Sequence, residues 1–279
     1  MVDAERPQVS INEALASGWF ELWYQPKIDL KQKCLAGAEA FARIRHPVHG
    51  DLGPGNFIPV ADADSIKHLT EYALISALTN WSRFDQAGFH LHLSLNVSVR
   101  LLRALPISDI VDQYRPDSER WPGIILELTE EQIAQDPAFL AQMAEGWRSR
   151  GITIAIDDVG GSGSFDYLNE LPLGELKLAR GVVKDCAIDA TNASICQTVI
   201  DLAHRCGGAA VAGGVETQTD LRALMAMGCD FGQGPVIAPH MPQEEFLDML
   251  LQRLDRRSPQ APAAGDRAAD SADAIGRVA

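Results

Sequence analysis

Short apolar stretches alternate with amphipathic stretches along almost the whole chain, and this alternation constrains the fold most strongly. "LHLSLNVS", "GIILELTEE", "ITIAIDD", "AAVAGGVE" and "FGQGPVIA" are typical of strands. "DSIKHLTEYALISALTNWSRF", "PAFLAQMAEGWRSRG" and "PQEEFLDMLLQRL" carry apolar residues at helical spacing. Strand–helix units repeated over about 240 residues predict the α/β class, either a barrel or a doubly wound sheet. The number and regularity of the strands favour the barrel.

The chain is predicted to form one domain. No stretch inside residues 11–255 has the composition of a linker, so this range is expected to be the barrel. Residues 1–10 carry little apolar periodicity and are predicted to be a short N-terminal extension. Residues 256–279 are rich in Ala, Pro, Asp and Ser and almost lack large apolar side chains, which predicts a disordered tail.

Composition excludes several classes of partner. The formal net charge of −14 argues against a general binder of nucleic acid or of anionic membranes, although one well-placed cation could still hold a small phosphate ligand. We find no stretch of about 18 apolar residues, so no membrane span is predicted. The N-terminus does not resemble a signal peptide. Five scattered cysteines without a CxxC pair suit reduced thiols, so a cytoplasmic location is expected.

Polar side chains follow the predicted strands where each strand ends, which in a barrel is where active sites form. These side chains belong to Glu39, Asn96, Glu127, Glu130, Asp157, Asp158, Lys177, Glu216 and Gln233. Carboxylates at one mouth repel each other unless a proton, a lysine or a cation intervenes. Carboxylate and amide oxygens are ligands that Mg²⁺, Mn²⁺ and Ca²⁺ prefer. Each acid taken alone is more often a helix cap or a solvated loop charge, and it is their joint placement on five strand ends that favours a site.

Several motifs together carry a resemblance to a known family. "YQPKIDL", "GAEAFARIRHPVHGDLGPGNFIPVAD", "LSLNVSVRLL", "ILELTEE", "GITIAIDDVG", "LPLGELKLARGVV", "VAGGVET" and "GCDFGQG" resemble, in order and spacing, the bacterial EAL domain family over about residues 14–250. The resemblance implies a modified (β/α)8 TIM barrel whose first strand is antiparallel, with a cyclic di-GMP site at its mouth. Active members hydrolyse cyclic di-GMP to pGpG with two Mg²⁺ or Mn²⁺ ions, and Ca²⁺ inhibits them.

The resemblance also implies a role for each matching residue. It implies first-metal ligands at Glu39, Asn96, Glu127 and Asp157, and a second-metal ligand at Asp158. It implies catalytic roles for Lys177, which orients the attacking water, and for Glu216, if the chain is active. It implies ligand contacts by Gln25, Glu39, Arg43, Asn96, Asp157, Lys177, Glu216 and Gln233, and a loop-anchoring role for Glu130.

Three departures from the family pattern fall on catalytic features. Gly213 stands where active members carry the first Glu of "AEGVE", which is associated with metal binding and water activation. Ala179 replaces the Asp of "LKID". The loop at residues 159–165 is about one residue shorter than in active members, and Val159 replaces a Phe. Because binding residues remain while catalytic ones are lost, the chain is expected to be inactive or strongly impaired as a phosphodiesterase.

Three functions stay open on the sequence. The favoured one is a degenerate EAL domain that acts as a non-catalytic cyclic di-GMP receptor. The alternatives are a Mg²⁺- or Mn²⁺-dependent phosphodiesterase and a nucleotide-independent protein-interaction module. Mg²⁺ or Mn²⁺ is expected if the chain is active, and the alternative is a chain without bound metal. A regulatory protein and a second copy of the chain are further partners that the resemblance allows.

Overall fold

The structure, a computed structural model, describes residues 7–160, 168, 171 and 173–257, the last five without their side chains. The strands are β1 (Phe20–Asp29), β2 (Cys34–His46), β3 (Gly50–Leu52), β4 (His92–Asn96), β5 (Ile124–Thr129), β6 (Ile152–Val159), β7 (Leu173–Leu178), β8 (Ala209–Ala212), β9 (Phe231–Gly232) and β10 (Met241–Pro242). The helices are α1 (Ile11–Ala16), α2 (Ala63–Gln86), α3 (Val99–Ala104), α4 (Ile107–Tyr114), α5 (Glu130–Gln135), α6 (Pro137–Arg148), α7 (Arg180–Val183), α8 (Ala190–Arg205), α9 (Gln218–Ala226) and α10 (Gln243–Arg257).

Within the described residues, eight strands close into a barrel in the order β1-β9-β8-β7-β6-β5-β4-β2, and β2 then pairs with β1 again. The first strand is antiparallel to both of its barrel neighbours, whereas the remaining neighbours pair in parallel. The predicted TIM-like barrel with a reversed first strand is therefore confirmed. Because seven strands run the same way, their carboxyl ends share one rim, which we call the mouth.

Alternation along the strands separates a polar barrel interior from an apolar outer layer. Outward-facing residues such as Leu126, Ile154 and Leu176 are fully buried beneath the helices. The long helix α2 contributes Leu74 and Trp81 to the same layer. Inward-facing positions instead include charged and amide side chains, so the barrel centre is not a purely apolar core.

The predicted extension and tail lie only partly within the described residues. Ser10 caps α1 through its side chain, and Val9 is buried, with its N–H donated to the Asn56 carbonyl. Residues 7–10 therefore pack against the barrel, while residues 1–6 fall outside the described residues. Helix α10 continues to Arg257, two residues past the predicted boundary, and the rest of the predicted tail also falls outside.

One predicted strand is much shorter than expected. "FGQGPVIA" forms a strand only at Phe231 and Gly232. Gly234 has a φ of +153°, and a Cβ there would lie 2.2 Å from the Val215 nitrogen. This close approach turns the chain out of the sheet immediately after Gln233, so the apolar residues that follow belong to a loop.

Candidate functional site

A buried cluster of charges lies inside the barrel near the mouth. The Lys177 Nζ atom, from β7, lies 2.6 Å from Glu39 Oε2, 2.8 Å from Glu127 Oε2 and 3.6 Å from Asp157 Oδ1. Glu39 and Glu127 are each 2% exposed and Lys177 is 8% exposed. Three carboxylates from β2, β5 and β6 thus surround one ammonium, which reduces the repulsion among them.

Amide side chains complete the hydrogen bonds of Glu39. Asn96 Nδ2 donates to Glu39 Oε1 at 2.6 Å, and Gln233 Nε2 donates to Glu39 Oε2 at 2.7 Å. Gln233 Nε2 also donates to Gln25 Oε1 at 2.9 Å, and Gln25 Nε2 donates to the Ala238 carbonyl. Both carboxylate oxygens of Glu39 therefore accept from nitrogen donors, and a continuous polar network runs from Gln25 on β1 through Gln233 and Glu39 to Asn96 on β4.

Burial and neighbouring charges set the protonation of the cluster. Burial, reinforced by Glu127, raises the pKa of Glu39 to about 7 against the pull of Lys177. Burial likewise raises the pKa of Asp157. Burial opposes ionisation of Glu127 as well, but Lys177 and Lys27 together outweigh it and lower its pKa. The Lys177 pKa lies well above its ordinary value because the three carboxylates outweigh desolvation, so this lysine stays charged.

The raised pKa of Glu39 gives a testable pH dependence. Between its ordinary value of 4.5 and about 7, the folded protein retains a proton that the unfolded chain releases. Stability should therefore fall as pH rises through this window, by up to about 1.4 kcal/mol per pH unit for this group. Urea unfolding at several pH values should show this slope reduced in Glu39→Gln relative to the wild type. An unchanged slope would contradict the assignment.

Other predicted residues lie apart from the cluster. Asp158 is exposed, has a φ of +58° and lies within an irregularity of the β6–β7 register between Ile156 and Val159. Its N–H donates to Asp157 Oδ1. Glu216 accepts from Arg180 Nε at 2.8 Å and from Arg180 Nη2. Glu130 begins α5. The structure thus brings together most of the predicted residues but leaves Asp158 and Glu216 outside the hydrogen-bonded network.

The guanidinium group of Arg43 lies close to two aromatic rings. Its guanidinium carbon is 5.6 Å from the ring centres of both Trp23 and Phe41, and its Nη1 donates to the Ala42 carbonyl. The His240 ring approaches both aromatic rings. Partial burial lowers the pKa of Arg43, although a guanidinium remains charged. Arg43 therefore combines several N–H donors with a planar face that can stack.

The three departures from the family pattern occupy different parts of the mouth. Gly213 follows β8, and a Cβ there would lie 3.3 Å from Lys177 Cε and 3.3 Å from the Leu178 carbonyl oxygen. Ala179 is the N-cap of α7 and makes no side-chain capping bond. Val159 is buried at the end of β6, while residues 161–165 of the altered loop fall outside the described residues. A side chain at position 213 would thus project toward Lys177, and glycine leaves that space without a carboxylate.

The expected metal ligands fit a cation only in part. Their oxygens are of the type that Mg²⁺ and Mn²⁺ prefer. Of the five side chains, those of Glu39, Glu127 and Asp157 lie around Lys177, and that of Asn96 donates to Glu39. In the described part of the chain, however, no three His, Cys, Asp or Glu side chains are arranged to hold a metal ion. The second-metal set is the poorer fit, because Asp158 lies apart and Gly213 provides no oxygen side chain.

Sequence reasoning missed a second buried ion pair deeper in the barrel. Lys27 Nζ lies 2.5 Å and 2.7 Å from the two Glu175 carboxylate oxygens, and both residues are buried. Lys27 follows Gln25 by two residues on β1, and Glu175 precedes Lys177 by two on β7. The period of a strand therefore places this pair on the same inward face, and that spacing could have identified it. Sequence reasoning also did not predict that Arg180 pairs with Glu216.

Comparison with known proteins agrees with this geometry. The family model described as the EAL domain matches residues 8–240. Two cyclic di-GMP phosphodiesterases of Pseudomonas aeruginosa are similar: PA2567 is 32% identical over 83% of this chain, and RocR is 30% identical over 88% of it. The matched regions span 40% of PA2567 and 64% of RocR.

Solved structures show the same fold. The PaMucR phosphodiesterase in complex with c-di-GMP has a TM-score of 0.74 and 29% identity, with 85% of this chain and 97% of that chain covered. The EAL enzyme Bd1971, bound to cAMP and cyclic di-GMP, has a TM-score of 0.76 and 26% identity, with 86% and 67% covered. Among the helices of the described ranges, none is both long and apolar enough to cross a membrane. The chain belongs to the EAL domain family.

Proposed function

We propose that this chain is a receptor that binds cyclic di-GMP without hydrolysing it. Similar proteins are named as cyclic di-GMP phosphodiesterases, and a similar domain is solved with c-di-GMP. The resemblance to the family implies ligand contacts by Gln25, Glu39, Asn96, Lys177 and Gln233, and hydrogen bonds link these five side chains in one network. Arg43 adds donors suited to phosphate oxygens and a planar face suited to a base.

The observation that carries the proposal is Gly213 beside Lys177. The Cβ of a glutamate at position 213 would lie 3.3 Å from Lys177 Cε, so its side chain would project toward Lys177. Glycine can neither accept a proton from water nor hold a cation. A missing general base commonly slows a reaction by about 10²–10⁴-fold. Ground-state binding does not depend on that group, so the ligand is held while the chemical step fails.

Calorimetry followed by chromatography tests the proposal directly. Cyclic di-GMP is titrated into the protein in EDTA, in Mg²⁺ and in Ca²⁺, and the nucleotide is then recovered and separated from pGpG. We expect binding heat in all three buffers, because the Lys177 ammonium already supplies a cation to the cluster, and intact nucleotide afterwards. Absence of heat at high micromolar ligand in every buffer would reject the receptor and favour the nucleotide-independent interaction module.

A metal-dependent phosphodiesterase is the second candidate. It is supported by Glu39, Glu127 and Asp157, which converge on one point together with Lys177. Incubation for hours at high protein concentration with Mn²⁺ decides between the two. Accumulation of pGpG above a protein-free control would favour the enzyme, and its absence in a protein that binds the nucleotide supports the receptor.

Arg43→Ala should weaken cyclic di-GMP binding by about 10–100-fold, because a charge-assisted hydrogen bond and a stacking face are both removed. Calorimetry measures this effect. Arg45→Ala is the matched control, since Arg45 lies two residues along the same strand and pairs with Glu21 and Asp51. Equal affinity of the two variants would show that Arg43 does not contact the ligand.

A further inference from the structure

Arg180 lies at one corner of the mouth, next to the ends of β6, β7 and β8. Ala179, which precedes it, follows β7 and donates its N–H to the Val159 carbonyl at the end of β6 at 2.8 Å. The aliphatic part of the Arg180 side chain lies against the turn after β8 (residues 213–216). A Cβ on Gly214 would be 2.8 Å from Arg180 Cγ and 3.1 Å from Arg180 Cδ. Arg180 therefore connects the ends of neighbouring strands at the mouth.

The guanidinium of Arg180 holds Glu216 but keeps donors to spare. Glu216 Oε1 accepts from Arg180 Nε at 2.8 Å and from Arg180 Nη2. A guanidinium has five N–H donors, so three of them remain for another acceptor. The Arg180 side chain is 73% exposed, which leaves these donors accessible to a ligand. The turn that carries Glu216 also lies beside the polar network, because the Val215 N–H donates to the Gln233 carbonyl at 3.0 Å.

Two carboxylates that active members of the family carry at this corner are absent from this chain. Ala179 stands directly before Arg180, and Gly213 stands directly before the glycine that the Arg180 side chain contacts. Carboxylates at both positions would add two negative charges and would repel an anionic ligand unless a cation balanced them. In this chain the acids near Arg180 are Glu216 and the exposed Asp158 at the end of β6. One guanidinium therefore has two fewer negative charges to balance.

We propose that Arg180 takes the charge-balancing role of a second cation in this chain, and that its guanidinium binds a phosphate oxygen of cyclic di-GMP. The inference rests on the proposed function and adds a ligand contact to it. A guanidinium offers parallel N–H donors that fit phosphate oxygens, and Glu216 holds the group in place from another edge. An arginine does not lower the pKa of a bound water as a metal ion does, so it serves binding without serving hydrolysis.

Calorimetry of the full chain with cyclic di-GMP in EDTA tests the phosphate contact. Arg180→Ala should weaken binding by about 10–100-fold, because charge-assisted hydrogen bonds are lost. Arg205→Ala is the matched control, since Arg205 is exposed at the end of α8, which leads to the start of β8 at the opposite end of the barrel. It removes the same charge and should change the affinity by less than about twofold. Equal affinity of Arg180→Ala and the wild type, or an equal loss in Arg205→Ala, would overturn the contact.

Mn²⁺ binding without nucleotide, followed by electron paramagnetic resonance, tests the exchange of a cation for an arginine. We expect Arg180→Ala to bind Mn²⁺ several-fold more tightly than the wild type, because the guanidinium no longer holds the Glu216 carboxylate. Arg205→Ala should bind Mn²⁺ as the wild type does, and Arg180→Ala combined with Glu216→Gln should lose the gain. An equal Mn²⁺ affinity in Arg180→Ala and the wild type, or a gain that persists in the double variant, would overturn the exchange.

The two measurements separate failure of this inference from failure of the proposed function. A wild type that binds no cyclic di-GMP would contradict the proposed function, while Mn²⁺ binding would still decide whether Arg180 takes the role of a cation. A wild type that binds the nucleotide as tightly as Arg180→Ala would overturn the Arg180 contact and leave the receptor standing. Circular dichroism of each variant should match the wild type, because the replaced arginines are exposed.

Discussion

Lys177→Met should destabilise the fold by about 3–5 kcal/mol at neutral pH, the largest loss of stability that we expect from a single substitution in the cluster. Lys177 is the cation shared by Glu39, Glu127 and Asp157, and it is 8% exposed. Methionine keeps most of the volume but leaves three carboxylates facing each other in a largely buried region, where Glu39 and Glu127 are each 2% exposed. Urea unfolding monitored by circular dichroism gives the difference in free energy.

The loss should depend on pH in a defined direction. Without the ammonium, the carboxylates can reduce their repulsion only by binding protons, so the folded variant binds more protons than the unfolded chain. Its stability should therefore fall as pH rises, and the deficit should be smaller at pH 5 than at pH 8. Lys184→Met is the control, because Lys184 is exposed and its replacement should stay within about 0.5 kcal/mol. Equal losses in both variants would contradict the charge argument.

Gly213→Glu should restore little phosphodiesterase activity, less than about tenfold above the wild type, although a general base is commonly worth about 10²–10⁴-fold. The new side chain must enter beside Lys177 and 3.3 Å from the Leu178 carbonyl, which requires a small local shift. Ala179 also remains without a carboxylate, and the shortened loop is unchanged. Chromatographic measurement of pGpG in Mn²⁺ gives the rate.

Two further variants make this result interpretable. Gly213→Gln has nearly the same size without an ionisable group, so any excess rate of the glutamate variant reports acid–base or cation chemistry. Gly213→Glu combined with Ala179→Asp should exceed the single variant, because it returns two of the three altered features. A single Gly213→Glu variant that approached the rate of RocR would show that the glycine alone accounts for the loss of hydrolysis that we propose.

The alternation of apolar and polar residues was enough to predict most of the fold and much of the site. Because the side chains of a strand alternate with a period of two, Glu39, Glu127, Asp157 and Lys177 could be placed on the inner face near one rim. The antiparallel first strand came only from the resemblance to the family, since periodicity carries no information on strand direction.

Side-chain partners were less predictable for physical reasons. Asp158 is adjacent to Asp157 in sequence, yet an irregularity in strand pairing and a positive φ separate it from the cluster. The end of β9 depends on the close approach of Gly234 to Val215, which is a contact between distant segments. The pairing of Glu216 with Arg180 likewise depends on how two loops meet. Local patterns contain none of these tertiary contacts.

The reversed first strand has a consequence for how this chain folds as it leaves the ribosome. One edge of β1 pairs with β2 in a hairpin, but its other edge pairs with β9 and β10, more than two hundred residues later. That edge exposes unpaired N–H and C=O groups until residues 231–242 have been made. Contacts so distant in sequence slow folding, so barrel closure should be a late step and the nascent hairpin a point of aggregation risk.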